Sequence, residues 1–233
     1  LLKDIEKEKT LEKIRKDFIS NVSHELKTPI SIIRGYSEGA SLMIENGETE
    51  SAKKYCDVIV GETEKMNTLV LQLLELSMYE SGNVTLKDEN FDISALTDDY
   101  ADANSIKTSV KGITFTNKIP ENTRVVGDRV KTEMIINNYI SNAVSHADGE
   151  KQITVSSNDL GDRYRISVFN TGKPIADEDI DKIWIAFYRA DKSRSRSEGR
   201  YGLGLSIVSA IQKLYGLDYG VINHENGVEF WFD

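Results

Sequence analysis

Residues 18–30 read FISNVSHELKTPI, a histidine and a glutamate side by side in a helix-compatible run that soon meets Pro29. Upstream lies the charged stretch LLKDIEKEKTLEKIRKD, residues 1–17, with no glycine or proline. At about 100° per residue, Leu11, Ile14, Phe18, Val22, Pro29, Ile33, Tyr36 and Ala40 fall in roughly one 100° arc. The spacing predicts one long amphipathic helix with a continuous apolar seam. ENGETE, 45–50, carries Asn46-Gly47 and reads as a turn. Over 51–80, Tyr55, Ile59, Met66, Leu69, Leu73 and Leu76 recur at helical spacing. Two long helices joined by a short turn predict an antiparallel hairpin. Its narrow core calls for a second copy, a homodimeric four-helix bundle. An ordinary coiled-coil spacer has the same periodicity and stands level with it on pattern alone.

His24 lies about 145° round the helix from the seam, so it is no core histidine, and Thr28 and Ser31 share its face. A nucleophile, a metal ligand or a solvated side chain are all open at this point. Glu25 could hold one ring nitrogen and leave the other free to attack. Pro29 has no N–H for the carbonyl of Glu25 and is expected to loosen the helix just past the histidine, at about 3 kcal/mol. Metal ligation finds little support in a chain with one Cys and three His, because no ligand spacing exists.

Composition narrows the class further. The chain has 233 residues, 39% hydrophobic and 29% charged, as a globular protein of one ordinary domain plus a smaller module would have. A formal net charge of −9 argues against nucleic acid or an anionic membrane surface as partner. Cys56 alone excludes an internal disulfide framework and suits a reducing compartment. No apolar run approaches the roughly 20 residues that span a bilayer, and no signal-peptide pattern is present. The first residue is Leu1 rather than Met, so a fragment of a longer protein is expected.

SGNVTLKDENFD, 81–92, reads as a polar linker, dividing the chain into residues 1–85, with 1–12 as a coiled-coil entry, and residues 86–233. Beyond it we expect a helix over 94–109, strands at 113–119 and 124–128, and a strong helix over 129–147. Period-two strands at 152–159 and 163–170, a short helix over 177–185, a helix over 203–215 and closing strands at 219–223 and 228–232 follow. Mixed strands with helices on one face make an α/β sandwich. On the 129–147 helix, Ile136, Ile140, Ala143 and Ala147 would face the sheet, and Asn138, Asn142 and Ser145 the other side. Side-chain carbonyls one turn apart suit Mg²⁺ or its waters, although a solvated polar face looks the same. Gly202 and Gly204 open a helix whose free N–H groups can hold phosphate. The preceding loop, FYRADKSRSRSEGRYG at 187–202, supplies Arg189, Lys192, Arg194 and Arg196.

FISNVSHELKTPISIIRGYSE, 18–38, resembles the phosphoacceptor box of the sensor histidine kinases of two-component systems. NNYISNAVSHA (137–147) resembles the family's N box, VFNTGKPI (168–175) its G1 box, IWIAFYRADKSR (183–194) its F box and YGLGLSIVSAI (201–211) its G2 box. The resemblance runs from about Lys13 to the end. It implies an α+β protein: a dimerising phosphotransfer hairpin followed by an ATP-binding sandwich of the GHKL type. It implies ATP and Mg²⁺ as cofactors, with His24 as nucleophile and Glu25 as its orienter and base. Thr28 would position water for dephosphorylating the partner. Asn142 becomes the Mg²⁺ ligand, and Asn138 a partner of its waters or of phosphate. Ser145, His146, Asn170, Gly172, Phe187, Arg189, Lys192, Gly202, Leu203, Gly204 and Leu205 become nucleotide-site residues, with Asn170 on the adenine edge. A response-regulator receiver domain is the implied partner. The chain would be the cytoplasmic portion of a bacterial membrane-anchored protein.

Three positions depart from the family pattern. Asn170 stands for the usual Asp, Ser145 for a common phosphate-contacting Lys, and Arg200-Tyr201 for Gly-Thr. Reduced ATP affinity is the expectation, and a kinase-weak scaffold or regulator phosphatase is the alternative function. A gyrase-like or mismatch-repair ATPase is a third, and the phosphoacceptor helix argues against it. His224 is expected at the surface, and Cys56 and the methionines in the bundle core.

Overall fold

The computed structural model describes residues 2–82, 84–190 and 201–233, with side chains from residue 12 onward apart from that of Lys107. The described residues divide into two compact units, one of residues 2–74 with 201–202, the other of residues 75–82, 84–190 and 203–233. Lys192, Arg194, Arg196 and Arg200 lie outside the described residues.

The first unit is the expected hairpin, α1 (Leu2–Glu45) and α2 (Thr49–Glu80, its last six residues grouping with the second unit). The reversal uses Gly47 at φ 77°, the left-handed region that an L side chain resists. Helices approach closely at Gly39, where the ring of Tyr55 occupies the space a Cβ would need; that ring also lies 5.1 Å from Tyr36. Ala40, Ala52, Pro29 and Leu69 are buried. α1 continues through Pro29 as one helix, because the proline removes a single intrahelical bond from a run held on both sides. Ile14, Ile30, Val60, Val70, Leu71 and Leu74 remain exposed, an apolar load that one hairpin cannot cover. In the single hairpin Cys56 is exposed: the buried stripe of α2 passes through Ala52 and Leu69 and leaves Cys56 on its flank. Of the methionines, Met78 is exposed as well.

In the second unit the last turns of α2 bury Leu76 and Tyr79. The Tyr79 hydroxyl donates to Met134 Sδ at 3.3 Å, and Lys131 Nζ sits 5.0 Å from its ring centre. Then come β1 (Glu89–Asp92), α3 (Ile93–Ala103), α4 (Ser105–Lys111), β2 (Thr114–Asn117), β3 (Arg124–Gly127) and α5 (Arg129–His146). β4 (Gln152–Asp159), β5 (Tyr164–Thr171), α6 (Gly204–Tyr215), β6 (Tyr219–His224) and β7 (Gly227–Phe232) complete it. The main sheet runs β2-β4-β5-β7-β6, with β2 parallel to β4 and the other pairs antiparallel, while β1 and β3 form a separate pair. Alternation buries Ile153 and Val155, Ile166 and Val168, and Val228, Phe230 and Phe232 under α5 and α6. Ile136, Tyr139, Ile140 and Ala143 of α5 and Ile207, Val208 and Ile211 of α6 close that core.

Three expectations need correction. Residues 89–92 of the supposed linker are a strand, set by pairing with β3 and by the burial of Phe91 rather than by any alternation of their own. The 94–109 helix is two, broken where Asn104 caps α3 with its backbone N–H. Residues 177–185 form successive turns, bonded Asp179 N to Ala176 O, Lys182 N to Asp179 O and Ile185 N to Lys182 O, not a regular helix.

Candidate functional site

On the hairpin, His24 is exposed, as its angle from the seam requires, and Thr28 lies one turn on with its hydroxyl donating to the His24 carbonyl at 3.3 Å. That bond turns the threonine hydroxyl back onto the helix backbone. Glu25 is half-buried and makes no hydrogen bond to His24 among the described residues, consistent with neighbours in a helix pointing about 100° apart. Tyr201, which groups with this unit, donates its hydroxyl to the Lys65 carbonyl at 3.0 Å. Burial pushes that hydroxyl's pKa up, and the carboxylates of Glu25 and Glu62 push it further.

In the second unit, α5 is started by Asp128, whose carboxylate accepts from Lys131 N and also from Lys87 N. The backbone N–H of Asp128 donates to the Tyr215 hydroxyl at 2.9 Å, tying the start of α5 to the end of α6. Asn138, Asn142 and Ser145 are half-buried and His146 is exposed, on the side of α5 away from its buried residues. Asn138 donates to the Met134 carbonyl at 2.8 Å, and its Oδ1 occupies the place where any side chain at Gly204 would go. The carboxamide of Asn142 has no hydrogen-bond partner among the described residues. α6 begins at Leu203, which is fully buried and supplies no side-chain cap; Ser206 donates to the Leu203 carbonyl instead of accepting. Among the described residues no side chain caps the first N–H groups of α6, which begin beside Asn138, and Leu205 follows half-buried.

At the end of β5, Asn170 is 2% exposed and donates Nδ2 to the Thr171 carbonyl at 3.1 Å. The same carbonyl accepts from Asp148 N at 3.0 Å. An oxygen in place of Nδ2 would face another acceptor, so this contact fixes the amide and leaves Oδ1 as the free acceptor. Gly172 follows at φ 151°, where a Cβ would lie 2.7 Å from the His146 carbonyl. Phe187 is half-buried with a left-handed φ of 65°, and Gly202 has φ 73°. Arg189 has Nε and Nη2 buried with no acceptor among the described residues.

These features fit a Mg²⁺-nucleotide. Uncapped helix N–H groups and an unpaired guanidinium suit phosphate oxygens. A lone amide oxygen suits Mg²⁺, which binds through few protein ligands and fills its shell with water and phosphate. No cluster of three or more His, Cys, Asp or Glu that could hold a metal exists among the described residues, so an all-protein metal cage is not what the site offers. Sequence inspection passed over Thr171, whose carbonyl orients Asn170, and Asp128, which starts α5. The aspartate was detectable, since Asp directly before a helical pattern is an N-cap signal.

Comparison with known proteins agrees with this organisation. Residues 14–82 match the family model described as His Kinase A (phospho-acceptor) domain. Residues 127–233 match the one described as Histidine kinase-, DNA gyrase B-, and HSP90-like ATPase. The sensor protein VanSB of Enterococcus faecalis is 31% identical over 231 residues, 99% of this chain and 51% of that protein. The chain thus spans about half the length of the curated relatives it matches. Among solved structures, the catalytic domain of histidine kinase ThkA is 30% identical with TM-score 0.55, covering 63% of this chain and 95% of that one. Histidine kinase ThkA in complex with response regulator protein TrrA gives TM-score 0.73 at 28% identity, covering 94% of this chain and 61% of that one. With a phosphoacceptor hairpin and an ATPase-type domain matched in order along one chain, the protein belongs to the sensor histidine kinases of two-component systems.

Proposed function

We propose that the protein phosphorylates its own His24 from ATP and passes the phosphoryl group to an aspartate of a response-regulator receiver domain. The observation that carries this is an exposed histidine on a matched phosphoacceptor helix, in one chain with a matched ATPase domain. A neutral imidazole nitrogen of His24 attacks the γ-phosphorus, and a P–N bond forms as the bond to the ADP oxygen breaks. ADP leaves with that electron pair, and the ring proton passes to Glu25 or water. Asn142 would hold Mg²⁺, which when bound neutralises triphosphate charge. The N–H groups at the start of α6 and the guanidinium of Arg189 hold phosphate oxygens, and Asn170 Oδ1 accepts from the adenine amino group.

The exposed apolar residues of the hairpin support a homodimer, and ThkA, a relative, is known in complex with its regulator TrrA. Thr28, oriented by the His24 carbonyl, positions water to hydrolyse the regulator's acyl phosphate in the reverse role. We place the chain on the cytoplasmic side of a membrane-anchored protein; among the described residues no helix is long and apolar enough to cross a membrane. Incubation with γ-labelled ATP and Mg²⁺ will give acid-labile, base-stable label on the wild type and none on His24→Ala. Equal labelling of the variant would remove His24 as the acceptor, and nucleotide binding without label in the wild type would favour the scaffold reading.

A further inference from the structure

We infer that Asn223 is a positioning residue for base recognition, acting without touching nucleotide; this rests on the ATP-site reading above. β6 is an edge strand of the main sheet, so its outer side offers backbone groups no strand to pair with. At Asn223 the side chain takes over that pairing. Its Oδ1 accepts from Ile175 N–H at 2.9 Å and its Nδ2 donates to the Ile175 carbonyl at 2.7 Å, the two bonds a neighbouring strand would make.

Ile175 ends the segment that begins with Asn170, and the same β6–β7 hairpin grips that segment twice more. Gly172 N–H donates to the Asn226 carbonyl at 3.0 Å in the turn. Gly227, paired with Thr171, lies flat where a Cβ would run into the Asn170 carbonyl and the Phe169 ring. Between the grips Lys173 and Pro174 are exposed and add no anchor of their own. The orientation of the Asn170 amide depends on the Thr171 carbonyl, one residue from Gly172, whose positive φ needs support from both sides. Releasing Ile175 frees the far end of this segment, and the direction of Asn170 Oδ1 is what blurs. Adenine presents a donor to that oxygen and guanine an acceptor, so the predicted loss falls on discrimination between bases. Phosphate contacts on α6 and Arg189 lie outside the gripped segment and stay as they are.

The test measures binding of ATP, GTP and inorganic tripolyphosphate, each with Mg²⁺, to the whole chain by titration calorimetry. Asn223→Ala removes both bonds to Ile175 and will weaken ATP binding about tenfold, as expected for two modest hydrogen bonds. Tripolyphosphate and GTP binding will stay within about twofold, so the ATP-to-GTP affinity ratio falls by a similar factor. Asn223→Asp keeps the acceptor for Ile175 N–H but turns an oxygen towards the Ile175 carbonyl, so it will lower the ratio as the alanine variant does; it carries the same comparison if the alanine variant does not fold. An unchanged ATP-to-GTP ratio, or equal losses for all three ligands, would overturn the inference and reduce Asn223 to a structural bond. Failure of the wild type to bind ATP would overturn the nucleotide reading itself, and this inference with it.

Discussion

Gly172→Ala probes the tightest point of the candidate nucleotide site. At φ 151° an L residue is strained by about 1–3 kcal/mol. The new methyl group would also lie 2.7 Å from the His146 carbonyl, a backbone atom at the end of α5 that cannot swing aside as a long side chain can. Asn170 Nδ2, at 3.5 Å, adds only ordinary contact. The strain has two outlets. If the free protein keeps the wild-type backbone, folding bears the strain, and the unit melts lower by about 2–4 °C per kcal/mol. If the end of β5 or of α5 shifts to relieve it, Asn170 moves relative to Asn142, and ATP must restore the geometry to bind. One to three kcal/mol then appears as roughly a 5- to 150-fold loss of affinity.

The two outlets share one total. A thermal melt and a calorimetric ATP titration on the same variant should therefore sum to at least about 1 kcal/mol, with any division between them. Melting within about 1 °C of wild type together with ATP affinity within about twofold would refute the close approach of Gly172 to His146.

Two further outcomes follow from other parts of the molecule. Burial raises the Glu75 carboxyl pKa, and Lys131 offsets this only in part. A raised folded-state value means that the group's relative stability is full below the ordinary carboxylate range and is lost as pH rises through the raised value. Glu75→Gln should flatten the pH dependence of thermal melting across that window; an unchanged profile would contradict the buried carboxylate. Thr28→Ala should lose most dephosphorylation of the cognate regulator while keeping His24 labelling within about threefold, and equal loss of both would undo the separate role given to the hydroxyl.

The hairpin was legible because both helices write their seam in the sequence over many turns, and the places of His24 and Thr28 followed from angle alone. From β2 to β7 the second unit was legible by periodicity too, apart from the turns at 177–185, and the face of α5 carrying Asn138 and Asn142 was separated from Ile136, Ile140 and Ala143. What escaped has no local signature. ENFD at 89–92 is polar at three of four positions and is a strand only because β3 lies beside it. Residues 177–185 have enough apolar spacing to suggest a helix, yet their hydrogen bonds stay mostly at the i−3 distance of turns. A lone Asn in an edge strand says nothing of the backbone it grips 48 residues away.

Motif comparison treats Asn170 as a loss, because it lacks the charge of the usual Asp. The site's local chemistry weighs the other way. In the proposed site the adenine amino group is a neutral donor and needs one acceptor, which Oδ1 would supply. At 2% exposure a carboxylate would carry a burial cost that an amide avoids. A carboxylate would also turn an oxygen towards the Thr171 carbonyl, where Nδ2 now donates at 3.1 Å. That bond gives the amide a definite direction, which an acceptor-only group would have to obtain from elsewhere. The segment around Asn170 is correspondingly well held: Asp148 bonds the same carbonyl, Asn226 holds Gly172 and Asn223 holds Ile175. On the proposed reading, the orientation of a neutral dipole would take the place of the usual charge, and orientation is what the surrounding hydrogen bonds supply.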